Sequence, residues 1–167
     1  MTKYFMLITK LETIDIIPIL AEYTRLESNI VWTDYGFKGK QAGLQHKANE
    51  DEWASAVGRS SGDEFASSIL NPFFKDTVFE EIITKYKLFK TRLMWLNPYA
   101  CYSMHQDESP RIHIPLVTNK HCYFIFKKFF PMHLEVNHVY WTDTRQHHSF
   151  MNCSELPRLH LVGAVQT

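Results

Sequence analysis

Net charge is the first thing missing: eighteen Lys and Arg residues balance eighteen Asp and Glu over 167 residues. Without a net field, long-range capture by nucleic acid or anionic lipid is excluded, and any partner must be recognised locally. No apolar run approaches the roughly 18 residues that cross a bilayer. The start, MTKYFMLITKLETIDIIPIL, interrupts its apolar stretch with Thr, Lys, Glu and Asp, unlike the core of a signal peptide. Cysteine is scarce as well. Cys101, Cys122 and Cys153 are an odd set with no Cys-x-x-Cys pair, which excludes a disulfide framework and a zinc ribbon and fits a reducing, cytoplasmic setting. With no evident base partner, these thiols read as buried and inert. Histidine is nearly absent from the first hundred residues, where only His46 occurs, whereas the other eight of nine fall between residues 105 and 160. Chemistry is therefore expected in the second half.

What is present is ample material for one core: 45% hydrophobic and 14% aromatic residues in a chain of single-domain size, 1–167. The texture changes near residue 90. Residues 1–88 read as a mixed α/β part, with a strand at 4–9, a helix at 13–23 that tolerates Pro18 poorly, and a strand at 29–33. Residues 36–63 hold five of the six glycines and read as a long loop, with a short strand at 42–46, able to serve as a lid or substrate loop. Residues 76–86 carry an Asp at the start and apolar positions at helical spacing. From residue 89 onward come eight short runs: TRLMWL, ACYSMH, RIHIPLV, CYFIFK, MHLEV, HVYWT, HHSFM and RLHLVGAV. Punctuated by NP, ESP, TNK, FP and TDT turns, they predict a mainly β fold with flanking helices, a barrel or two-sheet jelly roll.

Within SMHQDESPRIHIPL, His105 and Asp107 stand two apart, and on a strand such residues share a face. A His-x-Asp pair alone is a weak signal. The second element is RQHHSFMNCSELPRLHLV, in which a strand bearing His148 turns and returns as a strand bearing Arg158. Two imidazoles and one carboxylate on a face, with open positions opposite, suit Fe(II) that binds a cosubstrate and O2 together. Arg158, a planar fork, suits the distal carboxylate of such a cosubstrate better than Lys would.

Over residues 89–165 these motifs, with RIHIPLVTN, MHLEVNHVYWTD, HHSFMN and PRLHLV, resemble the 2-oxoglutarate and Fe(II)-dependent dioxygenases. The likeness is to the aspartyl/asparaginyl β-hydroxylase superfamily with its small free-proline hydroxylases. The resemblance implies a double-stranded β-helix, or cupin-like jelly roll. It implies that His105, Asp107 and His148 hold the iron and that Arg158 binds the C5 carboxylate of 2-oxoglutarate. Arg111 and His113 match an Arg-x-His beside the C1 carboxylate of the cosubstrate or the carboxylate of the substrate. The activity implied is hydroxylation of an unactivated carbon on an amino-acid-like small molecule or a peptidyl residue, at the expense of 2-oxoglutarate and O2. Asn137 stands where relatives carry a turn Gly, and Asp107 places the chain nearer the small-molecule or microbial branch than the animal peptidyl enzymes.

A cupin-fold metalloenzyme that does not use 2-oxoglutarate, such as an isomerase or thiol dioxygenase, is the alternative enzyme, and a non-catalytic metal-binding module the alternative outside enzymes. His147 should point away from the site, and His121, His133, His138 and His160 read as core or surface residues. The run KHCYFIFKKFFP reads as a strand flanked by lysines rather than a nucleic-acid platform. Trp53, in the glycine-containing stretch, is the tryptophan expected to meet substrate. No membrane or nucleic-acid partner is expected, and the oligomeric state is left open.

Overall fold

The computed structural model describes residues 7–58 and 62–166. In chain order its regular elements are β1 (Ile8–Thr13), α1 (Ile17–Leu26), β2 (Thr33–Asp34), β3 (Gly39–Gly43), β4 (Gln45–His46), β5 (Ile69–Leu70), α2 (Val78–Tyr86), β6 (Phe89–Leu96), β7 (Arg111–Val117), β8 (Cys122–Phe126), β9 (His138–Thr142), β10 (His148–Asn152) and β11 (Arg158–Ala164). Seven strands form one antiparallel sheet in the order β1-β9-β7-β11-β6-β3-β2. Facing it is a narrower layer. There β10 pairs with β8, the 101–105 segment bridges β10 at Cys101 and His105, and Met132 bridges β8. The chain thus alternates between layers: β6 in the large sheet, 101–105 in the small, β7 large, β8 and Met132 small, β9 large, β10 small, β11 large. This winding makes a mainly β jelly roll of the double-stranded β-helix kind, with two helices on its flank.

Strand β11, RLHLVGA, shows how one sequence serves two faces. All seven of its residues are buried. Leu159 and Leu161 join Leu93, Ile112, Ile114, Ile19, Phe79 and Ile82 on the helix-covered outer face, and Val162 joins Met94, Phe124 and Phe150 between the layers. Each fully buried Leu or Ile contributes about 2 kcal/mol. The dry outer face can therefore supply the stability, which leaves the inner face free to carry Arg158, His160, His113 and Arg92, all buried.

Several local expectations change. Pro18 falls in the first turn of α1, where the missing N–H would have no intrahelical acceptor, so it is well tolerated. Position 77, not Asp76, caps α2, without a side-chain bond; Asp76 is left-handed (φ 57°) and its N–H donates to Glu80 Oε2 at 2.6 Å. The strand expected at 29–33 is reduced to Thr33–Asp34. The strand expected at 4–9 begins at Ile8 among the described residues, and residues 4–6 lie outside them. The glycine-rich stretch is not all loop: β3 pairs with β6 along its length. Gly39 permits this, because at φ 125° a Cβ there would run into the backbone carbonyl of Trp95. Asn137 takes the left-handed turn (φ 61°), a conformation Asn tolerates in place of Gly, and its carbonyl accepts from Ile14 N–H at 3.0 Å. No helix of the described residues is long and apolar enough to cross a membrane.

Candidate metal centre

Backbone pairing brings the two imidazoles together. His105 and His148 exchange both N–H···O bonds, at 2.9 and 2.8 Å, and their rings lie 4.3 Å apart. Each Nδ1 meets a carbonyl, Ser103 O at 2.7 Å for His105 and Gln146 O at 3.0 Å for His148. A carbonyl only accepts, so Nδ1 carries a proton in each ring and Nε2 is the nitrogen turned away from the backbone. Burial, partly offset by Asp107 and the Gln146 carbonyl, pulls His148 down to about 4, so its ring is neutral at pH 7.

Asp107 completes the set. Its N–H donates to Thr144 O at 2.9 Å, and its carboxylate oxygens stand 4.0 Å from His105 Nε2 and 3.8 Å from His148 Nε2. These separations are too long for hydrogen bonds. Ligand atoms of all three residues lie within 4.8 Å of one another, a two-nitrogen, one-oxygen donor set that fits a first-row divalent ion. The trio lines a cavity of ≈ 250 Å³ together with Arg92, Met94, Arg111, His113, Phe150, Val162, Tyr35, Lys38, Gln41, Gly58 and Tyr102.

Arg111 does not have the free guanidinium expected of a carboxylate receptor. Its Nη2 and Nη1 donate to Glu64 Oε1 and Oε2 at 2.7 and 3.1 Å, and Nη1 also donates to Ser109 Oγ at 2.6 Å. Nε makes a 3.3 Å ionic contact with Asp107 Oδ2 that is not aligned as a hydrogen bond. Glu64 also accepts from Lys90 Nζ at 2.9 Å and Ser109 Oγ at 2.8 Å. Burial alone would raise this carboxyl, but Arg111 and Lys90 outweigh it and hold it at about 2. Arg111 therefore braces Asp107 of the donor set, and Glu64 occupies the Nη atoms that a cosubstrate or substrate carboxylate was expected to use.

Deeper in the barrel lies a second polar group. His113 and His160 have ring centroids 5.8 Å apart, and burial drives both well below the ordinary histidine range. Arg158 Nη2 donates to His160 Nδ1 at 2.9 Å, so His160 Nε2 must carry a proton, and that N–H has no acceptor. Among the described residues neither nitrogen of His113 has a hydrogen-bond partner, nor does Thr118 Oγ1. Arg158 is 3% exposed and makes no ion pair among the described residues; burial brings its guanidinium down to about 10. With Thr118, Cys122, Phe124, Phe150 and His160 it borders a recess of ≈ 10 Å³, room for about one water. Phe150, whose ring lies 4.9 Å from the guanidinium, is a wall common to recess and metal cavity.

Glu64, Arg92, Thr118, Tyr35, Gln41 and Tyr102 were missed by reading the sequence. Most come from segments remote from the His-rich half, and only the sheet order carries them there. His147 is not a member of the donor set. Trp53 packs on Phe73 and Phe74 at 5.1 and 5.7 Å instead of meeting the cavity. Cys101 and Cys153 are exposed, and only Cys122 is buried.

No family model and no curated protein matches the chain. Among solved structures it is similar to a chain in the crystal structure of Rhodobacter sphaeroides SigE in complex with the anti-sigma ChrR, at 14% identity and a TM-score of 0.47, over 87% of this chain and 55% of that one. The chain thus spans about half the length of that neighbour.

Proposed function

We propose that the protein is a mononuclear non-haem iron oxygenase that consumes 2-oxoglutarate and O2 to hydroxylate an unactivated carbon. The observation that carries this reading is Arg158, a buried cation with no acid partner beside orphaned polar atoms of His160, His113 and Thr118, in the same barrel as a His/Asp/His donor set. A dicarboxylate with one end at the metal and the other at Arg158 would meet these groups, and pairing would offset the cost of keeping the guanidinium out of water. Iron and 2-oxoglutarate would together activate O2, one oxygen atom leaving in succinate with release of CO2 and the other inserted into the substrate C–H bond. The chain itself contributes the rest. His105, His148 and Asp107 hold the ion, Ser103 and Gln146 carbonyls fix the tautomers, Arg111 steadies the carboxylate, and Met94, Phe150 and Val162 exclude water.

Succinate formation from 2-oxoglutarate in the presence of Fe(II), ascorbate and O2, across free amino acids and short peptides, tests the activity. Replacement of Arg158 by Gln is expected to raise the half-saturating 2-oxoglutarate concentration about tenfold or more, since a hydrogen bond to a charged group contributes roughly 1.5–3 kcal/mol. Titrating the metal by calorimetry should give the same affinity for variant and parent. Unchanged 2-oxoglutarate binding would make Arg158 a structural residue. One feature favours the second reading, a cupin-like metal-binding protein or metalloenzyme without 2-oxoglutarate: the recess at Arg158 is small and Phe150 stands between it and the metal cavity. Under that reading the metal binds and no succinate appears.

A further inference from the structure

Arg92 is a buried cation of the metal cavity that pairs with no carboxylate among the described residues. It projects from β6, opposite Val162 of β11 and Gly43 of β3, and its side chain borders the cavity. The carboxylates within reach are committed elsewhere: Glu64 to Arg111 and Lys90, Asp107 to the donor set and Arg111. Arg92 has only neutral partners, Ala56 O at 3.1 Å from Nη1 and Met94 Sδ at 3.3 Å from Nε. Among the described residues Nη2 has none. Burial first, and the charge of Arg111 second, pull the guanidinium below its ordinary value, and Asp107, Glu64 and Tyr102 oppose that shift only in part, so the protein itself offsets only part of the cost of burying this charge.

The surroundings describe what is missing. Tyr102 Oη accepts from Gln41 Nε2 at 3.0 Å, and Tyr35 stands against Gly58, where a Cβ would come within 2.5 Å of the tyrosine hydroxyl. These neutral hydrogen-bonding groups share the lining with a further cation, Lys38, whose Nζ lies 5.7 Å from the centre of the Tyr102 ring, so the space beside the Arg92 guanidinium suits an anion. At ≈ 250 Å³ the cavity falls just below the roughly 300–1,000 Å³ range of drug-sized ligand sites. Such a space suits a small molecule better than a folded chain.

We propose that Arg92 receives the carboxylate of a small-molecule substrate and so sets its position beside the metal, an inference that rests on the metal-centre reading above. Arg158 and Arg92 would then divide the work, one binding the cosubstrate and the other the substrate. Arg92 thus fills the role expected of Arg111, which Glu64 has withdrawn from it.

Fluorine NMR with trifluoroacetate and its uncharged isostere trifluoroacetamide tests this directly on protein loaded with Co(II) and 2-oxoglutarate. The acid should show saturable line broadening that the amide lacks. Its dissociation constant should rise at least tenfold in Arg92→Gln and stay within a few-fold in Arg92→Lys. Acid and amide that broaden alike, no saturable broadening of the acid, or full binding by a folded Arg92→Gln variant would each overturn the proposal. Because the acid–amide comparison uses the parent protein, it decides even if a variant does not fold. The metal-free protein separates the two readings. Arg92-dependent binding of the acid there, with no added broadening from Co(II), would end the metal-centre reading and leave the carboxylate site standing.

Discussion

Asp107→Ala is expected to lower the affinity for a divalent ion by about 100-fold or more, read by calorimetric titration of Co(II) into the metal-free protein. Groups that merely orient a ligand are typically worth about 10- to 100-fold in metal affinity, and Asp107 is the one anionic member of the set. Its side chain is 18% exposed, so its loss leaves no large cavity, and the thermal midpoint of the metal-free protein should move little. Equal affinity in variant and parent would show that the ion, if bound, is held by other residues. In that event both the oxygenase and the cupin-type readings lose their centre.

The other large effect is expected at Glu64, from which the charge network of the inner face radiates. Glu64→Gln leaves Lys90 and Arg111 buried with no carboxylate between them. Breaking a buried pair by removing one partner costs about 3–5 kcal/mol, and urea unfolding should register that loss. The exposed Lys85–Glu12 pair supplies the comparison: Glu12→Gln should leave the urea midpoint nearly where it is, because solvent screens such a pair. Because Arg111 would be released from its anchor, Co(II) affinity should also fall, by about tenfold. Acid gives an independent check. The folded-state value of Glu64, about 2, lies below the ordinary 4.5, so its contribution is fully present above about pH 4.5 and is lost as pH falls towards 2. The parent protein should lose stability across that window and Glu64→Gln should lose less; parallel acid profiles would show that Glu64 does not hold the network.

The β half was legible because period-two alternation survives wherever a strand has two different faces, as in RLHLVGA, with hydrophobic Leu159 and Leu161 between Arg158, His160 and Val162. ACYSMH and MHLEV were read as strands, yet they contribute only isolated bridges at Cys101, His105 and Met132. Spacing suggests extended backbone and cannot count its partners. The His-x-Asp pair was visible for a similar reason, since residues two apart converge without help from the rest of the chain. Glu64 and Arg92 were not visible. Glu64 reads as one acid in a polar stretch, and it becomes a buried hub only when β6 and β7 present Lys90 and Arg111 to it. Arg111 was read as a carboxylate receptor from its place four residues after Asp107 and two before His113, and nothing in that stretch announces Glu64. In the glycine-rich segment, loop chemistry was inferred from residues whose role is close strand contact, as at Gly39.

The 101–107 segment is the outer rung of the small layer, tied down by few backbone bonds, among them Tyr102 N–H to Phe150 O at 3.0 Å and Asn152 N–H to Ala100 O at 2.8 Å. Were it to lift away, β10 would become a bare sheet edge, and the apolar Phe150 and Met151 of HSFMN would sit on a strand with unpaired amides and carbonyls. Edges of that kind recruit strands from other chains. An ion shared by His105 and His148 would latch the rung to its neighbour, so the ligands proposed to handle O2 would also guard the protein against self-association, and removing the metal would endanger solubility as well as turnover.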